Sequence, residues 1–363
     1  MSTDLDFGNG DESLLSWERW DRIKRSELYV FFAAAAFAVL FPWLFVRAPV
    51  TSDIITGYDS LAKSIIIWSI FAIGFNILLG ETGLLSFGHA AFWGIAGYGA
   101  GWVAIYSYGH PLLMIVVGVI LATLFAALIA PILLRLHTVY FAIVSLAIAQ
   151  TLFWLSREPL NEWTGGENGL TRMEVKPLFG DVSVSEPLPN ILGELMGSWM
   201  YLVIAIAFVL SIVAANRIRK SPYGLIFQAI RENETRSTFI GMDVWRYKFA
   251  SFVMSATFAG LAGALLTVDK SFVGIRRLWW SASGDAVVMT VIGGLRTLFG
   301  PVAGVIVYQW FGGVVDGYEQ IGQYWLLMLA IMFIAIVWWY PDGIWGLFSQ
   351  VGDYLRSLGD DEQ

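Results

Sequence analysis

Cysteine is absent from the 363-residue chain. That excludes a disulfide framework, a thiolate nucleophile and a Cys-ligated zinc. Charge is scarce: Asp, Glu, Lys and Arg make up 14% of residues, against about 25% in an ordinary soluble domain. With 57% hydrophobic residues and a mean hydropathy of +0.66, a water-soluble globule, a disordered chain and a fibrous protein are excluded. Positive charge is the scarcer sign, with 22 Lys and Arg against 29 Asp and Glu and a net charge of -7. A nucleic-acid surface needs the opposite balance. Histidine occurs three times, at His89, His110 and His137, too scattered to ligate a metal. No cofactor is implied. The dipeptide Gly-Lys does not occur, so the chain carries no P-loop of its own. It also lacks His-Glu-x-x-His and Gly-x-Ser-x-Gly, so no catalytic residue is assigned and the chain does not read as an enzyme.

What is present is a series of apolar runs. They predict an all-α, polytopic membrane bundle of about ten transmembrane segments, some Gly-broken or re-entrant. The expected spans are 28–46, 64–79, 85–106, 111–134, 139–155, 198–214, 249–268, 279–295, 298–315 and 324–340. The eighth and ninth are short, Gly-interrupted and separated only by Arg296 and Thr297, the pattern of a re-entrant hairpin. Residues 1–27 are polar, without the apolar core of a signal peptide, and read as a cytosolic tail. Residues 28–346 form the membrane domain, and 347–363 an acidic cytosolic tail.

Charge sets the expected orientation. The segment 216–248 carries seven cations, Arg217, Arg219, Lys220, Arg231, Arg236, Arg246 and Lys248, and is expected in the cytosol. The segment 156–197 holds three cations against seven acids and is expected outside. Counting spans from a cytosolic N-terminus returns both results and puts the C-terminus in the cytosol.

Three regions break the apolar pattern. In 80–94, Gly83 and Gly88 permit an unwound backbone, tolerated at membrane depth only beside protein or a solvated cavity. Asn76, Ser86 and His89 add polar groups there and are candidate pathway residues, whereas Gly97 and Gly101 have the GxxxG spacing of helix packing. In 285–304, Gly293–Gly294 and Gly300–Pro301 break a second run. Asp285 is the clearest intramembrane charge, and Thr290 and Gln150 complete the polar candidates. Residues 297–308 also echo 84–98, which reads either as the paired breaks of a transporter's pathway or as the ordinary frequency of glycine in membrane helices. The third region, 221–243, lies outside the membrane. Ser221 and Pro222 start an amphipathic helix with Leu225, Ile226, Ala229 and Ile230 on one face; Gly241 ends it and Asp243 caps the next. Such a helix either lies on lipid or couples to a soluble ATPase, and Gly224 permits close approach of a partner backbone.

Together these segments resemble the LivM-type permease subunits of branched-chain amino acid ABC importers. The matching pieces are 84–94, 140–144, 164–170, 229–234 with Gly241 and 246–248, 258–264, 293–304 and 341–346, within roughly 61–346. The resemblance implies a second related permease subunit, two cytosolic ATP-binding subunits and an external substrate-binding protein around a multi-pass chain in the cell membrane. It places Arg231, Glu232, Asn233 and Gly241 in the ATPase-contacting loop. Against the family's usual pattern, Glu81 stands where an uncharged residue is common and Gln150 where an acid is common. Arg296 replaces a usual Gly, and Asp342 a usual Arg. Urea and short-amide permeases share the pattern, and a stand-alone carrier is the reading from another class.

Overall fold

The computed structural model describes residues 11–47, 58–171, 173–178, 180–316, 324–340 and 342–346. The acidic 347–363 tail and the first ten residues lie outside the described set. The helices in chain order are α1 Asp11–Pro42, α2 Asp59–Asn76, α3 His89–Tyr106, α4 Pro111–Leu133, α5 Thr138–Arg157, α6 Asn161–Thr164, α7 Asn190–Met196, α8 Trp199–Lys220, α9 Pro222–Glu232, α10 Glu234–Phe239, α11 Val244–Lys270, α12 Ser281–Gly293, α13 Gly300–Asp316 and α14 Trp325–Trp339. This is a polytopic helical membrane bundle. Among the described residues, six helices are long and apolar enough to cross a membrane; α12 and α14 are shorter apolar helices.

Several boundaries differ from the sequence expectation: α2, α8 and α11 extend five or six residues further at one end, and three other differences bear on the fold. The polar stretch from Asp11 is already helical and runs on into the first span. The third span starts at His89, not at 85, because residues 82–88 form turns around Gly83, whose φ is +79°. The eighth shrinks to α12, whose 13 residues reach about 20 Å, less than the hydrocarbon thickness of about 30 Å. It folds back against α13, where a Cβ at Gly304 would sit 1.8 Å from the Met289 carbonyl.

The long helix α11 lies at the centre, packed on α2, α3 and α4. Phe71, Phe75, Phe92, Trp93 and Phe252 are among its largest fully buried neighbours and residues. Helix α4 shows how the chain sorts faces. Met114, Gly118, Ala122, Ala126 and Ala130, each four apart, are buried. Val116, Ile120, Leu124 and Leu128, also four apart, are exposed. Small residues turn inward to let helices approach, and large aliphatics turn outward, as lipid permits and water does not. Gly97 and Gly101 are packing positions: added Cβ atoms would meet Thr267 and Val273, and Met173 and Leu170, respectively.

Residues 156–197 contain the short helices α6 and α7, a 3-10 turn Gly166–Asn168 and isolated bridges, Leu170 with Val273 and Pro187 with Ser198. The stretch is a folded cap: Leu170, Met173, Leu178, Val184, Leu188 and Met196 are all buried.

Candidate functional site

The segment after α8 begins as its sequence implies. Ser221 caps α9 by accepting the Gly224 N–H at 3.4 Å, and Pro222 takes the first turn. The expected single helix is two. Asn233 (φ -159°, ψ 98°) breaks it and caps α10, its Oδ1 accepting the Arg236 N–H at 2.8 Å. Gly241 then follows the helix end with φ +88°, and Asp243 caps α11.

The face of α9 that meets the rest of the chain differs from the one expected. Gly224, Phe227 and Ile230 are buried within this chain. Ile230 is therefore not available to a partner. Gly224 serves an internal approach, since its Cβ would lie 2.3 Å from the Arg219 carbonyl. Leu225 is 65% exposed, and beyond α9 the apolar Phe239 and Ile240 are 87% and 69% exposed. Ile226 and Ala229 are half-buried, and Glu232 is exposed. Arg231 turns inward, donating to the Gly80 carbonyl. Burial, then the nearby Arg296 cation, draws its guanidinium below the ordinary arginine range, while Glu81 pulls the other way.

Arg231 reaches the first glycine break. After α2 the backbone widens into a π turn, Ile77–Glu81. Glu81 is 1% exposed. Its Oε1 pairs with Arg219 Nε at 2.9 Å, and Gln228 Nε2 donates to its Oε2 at 2.9 Å. Asn76 joins this break to the second one: its Oδ1 accepts the Arg296 N–H at 3.2 Å and its Nδ2 donates to the Thr297 carbonyl at 3.0 Å. The end of α2 is thus tied to the start of the second break.

The other pathway candidates are dispersed. Ser86 is fully buried and accepts the Gly88 N–H at 3.2 Å. His89 is fully buried among the rings of Phe71, Phe75, Phe92 and Phe252, with Nε2 2.7 Å from Ser255 Oγ and Nδ1 without a partner. Thr290 is buried and donates to the Ala286 carbonyl of its own helix at 2.6 Å. Asp285 accepts from the Tyr308 hydroxyl at 2.6 Å, tying α12 to α13. Gln150 stands apart on α5, in an open groove of about 510 Å³ with Trp154 and Glu158, its Nε2 buried without a partner. No group of three or more His, Asp and Glu suited to a metal occurs among the described residues. Sequence reasoning did not select Arg219, Gln228, Ser255 or Tyr308; the signal available was a lone charge, Glu81 or Asp285, that needs a partner at membrane depth.

A family model described as branched-chain amino acid transport system, permease component, matches residues 57–337. The chain belongs to that permease family. It is 27% identical over 301 residues to the high-affinity branched-chain amino acid transport system permease protein LivM of Salmonella typhimurium, covering 79% of this chain and 70% of that protein. The probable LivM permease of Methanocaldococcus jannaschii is 22% identical over 251 residues, 64% of this chain and 68% of its own. The same archaeon's probable LivH permease is 26% identical over 142 residues, 35% and 42% of the two chains. No solved structure matches the chain significantly. The family match spans α2 to α14 and so includes both glycine breaks, the Glu81 cluster and the α9–α10 segment.

Proposed function

We propose that this permease imports branched-chain amino acids as a membrane subunit of an ATP-driven transporter in the cell membrane. A second related permease would lie beside it, two ATP-binding subunits on its cytosolic face and a substrate-binding protein outside. Both termini and 216–248 would be cytosolic, and 156–197 external. The observation that carries the reading is the family match over 57–337, with LivM and LivH permeases among the relatives. The cation-rich segment supports the orientation, and the exposed Leu225, Phe239 and Ile240 there suit a partner surface. Asn76, Ser86, His89, Gln150, Asp285 and Thr290 remain the pathway candidates, with Tyr308 added as the partner of Asp285.

The test is reconstitution of the permease with its ATP-binding and second permease subunits in vesicles, with binding protein supplied outside. Leucine uptake that needs ATP and the binding protein is expected. Uptake of urea but not leucine would give the site to short amides. Uptake by this chain alone, driven by an ion gradient, would make it a carrier.

A further inference from the structure

The two glycine breaks, the end of α8 and the helix α9 converge on residues 76–83. Glu81 is the hub: Arg219 reaches it from α8 and Gln228 from α9. Arg219 also donates through Nη2 to the Arg296 carbonyl at 2.8 Å, in the link between α12 and α13. Arg231 of α9 donates to the Gly80 carbonyl, and its side chain lies over Gly83, where an added Cβ would be 2.6 Å from Arg231 Cγ. Asn76 completes the tie by holding Arg296 and Thr297.

We infer that Glu81 is a positioning residue for transport: the Glu81–Arg219–Gln228 node makes α9 and the two broken segments move as one body. The inference rests on the reading of 216–248 as the ATPase-facing segment. Two arguments favour transmission over simple bracing. A buried ion pair stabilises a fold poorly compared with apolar side chains of the same volume, and α9 already has an apolar anchor in Phe227 and Ile230. Apolar contacts are non-directional. Several of the polar contacts, by contrast, end on the carbonyls and N–H groups of Gly80, Arg296 and Thr297, at the two points where the helices break. Past that point the chain leads within a few residues to Ser86 and His89. A displacement of α9 therefore reaches the candidate pathway through the short non-helical stretch 82–88.

The test uses the whole transporter in vesicles, with leucine as probe. Glu81→Gln keeps the shape and removes the charge. Co-purification of the ATP-binding subunits and the ATP hydrolysis rate should be unchanged, while leucine moved per ATP hydrolysed falls by about tenfold, a typical coupling magnitude. Glu81→Arg combined with Arg219→Glu should restore part of the ratio, because the pair is re-formed in reverse. Unchanged leucine per ATP in Glu81→Gln overturns the inference. So does a parallel loss of subunit association and both activities, which would make Glu81 a folding brace.

A second readout is independent of the substrate. Leu85 is half-buried beside the break, and the chain has no native cysteine. With Leu85→Cys, maleimide labelling should change when a non-hydrolysable ATP analogue is added, and Glu81→Gln should abolish that change. A change that persists, or that is absent before Glu81 is altered, overturns the inference. Failure of the ATP-binding subunits to co-purify with the unaltered permease would instead refute the ATPase-facing reading.

Discussion

The two faces of α9 should respond oppositely to substitution. Phe227 is fully buried against this chain. Phe227→Ala removes most of a core side chain and should cost about 3–5 kcal/mol of stability. Leu225, 65% exposed, makes few contacts within this chain, so Leu225→Glu should change the permease's own stability by no more than about 0.5 kcal/mol. If a partner covers Leu225, its exposed two-thirds contributes about 1–2 kcal/mol of a full burial worth 1.5–3. Loss of that contact weakens ATPase binding roughly five- to thirtyfold, and the buried charge adds to it. The assay pairs thermal unfolding of the isolated permease in detergent with co-purification of the ATP-binding subunits. Phe227→Ala should lower the unfolding temperature; Leu225→Glu should leave it in place yet lose the ATPase. An equal fall in unfolding temperature for both variants, or full ATPase retention by Leu225→Glu, would refute the division of faces. Ala229 is a poorer probe, because it is half-buried and a charge there disturbs both sides.

Three further outcomes are expected. With no native cysteine present, Glu162→Cys should label from outside and Phe239→Cys only from the cytosol; the reverse pattern inverts the topology, and Gly166 is unsuitable because a Cβ there would lie 2.5 Å from Asn161 Oδ1. Arg296 holds φ +71°, a conformation that costs a side-chain-bearing residue roughly 1–2 kcal/mol. Arg296→Gly should therefore raise the unfolding temperature, and a fall would show that the Arg side chain holds more than the backbone does. Tyr308→Phe removes the donor at 2.6 Å from Asp285 and should lower stability by about 1–3 kcal/mol, the cost of leaving a buried acceptor unsatisfied; no change in unfolding temperature would mean that Asp285 has another partner.

Much of this architecture is legible in the sequence because membrane helices obey local rules. Apolar length locates the spans, and caps such as Ser221 and Asp243 locate the ends outside them. Glycine breaks at Gly83 and Gly294 are visible for the same reason: a positive φ is a local demand, and both residues have one. The site is less legible. The partners of Glu81 lie 138 and 147 positions away, at Arg219 and Gln228, and nothing local specifies such a pairing. The face of α9 was misassigned for a related reason. Leu225, Ile226, Ala229 and Ile230 form one apolar stripe, but Phe227 on the neighbouring stripe is the larger side chain and takes the internal seat. Periodicity identifies an amphipathic helix without saying which of two apolar edges its own chain will cover. His89 shows a third limit. A polar residue beside a break is visible in the sequence, but, Phe92 apart, the phenylalanine rings and Ser255 that surround it come from distant positions.

The attachment of α9 combines two kinds of contact that do different work. Phe227 and Ile230 hold the helix to the bundle through burial, which is strong but tolerates sliding. Gln228 and Arg231 fix its register against the break in α2 through hydrogen bonds, which have a defined direction and length, and Arg219 adds an ion pair to Glu81 that lacks hydrogen-bond geometry. Burial alone would let the helix shift without moving the break. Polar contacts alone would leave the buried Glu81 carboxylate with little to offset its desolvation. Side by side, the apolar seat supplies adhesion and the polar node supplies registration. The node lies where α9 meets the broken backbone, and α11 braces the other side of that break, its Ser251 bonded to Thr82 at 2.5 Å and donating to the Ile77 carbonyl at 3.4 Å.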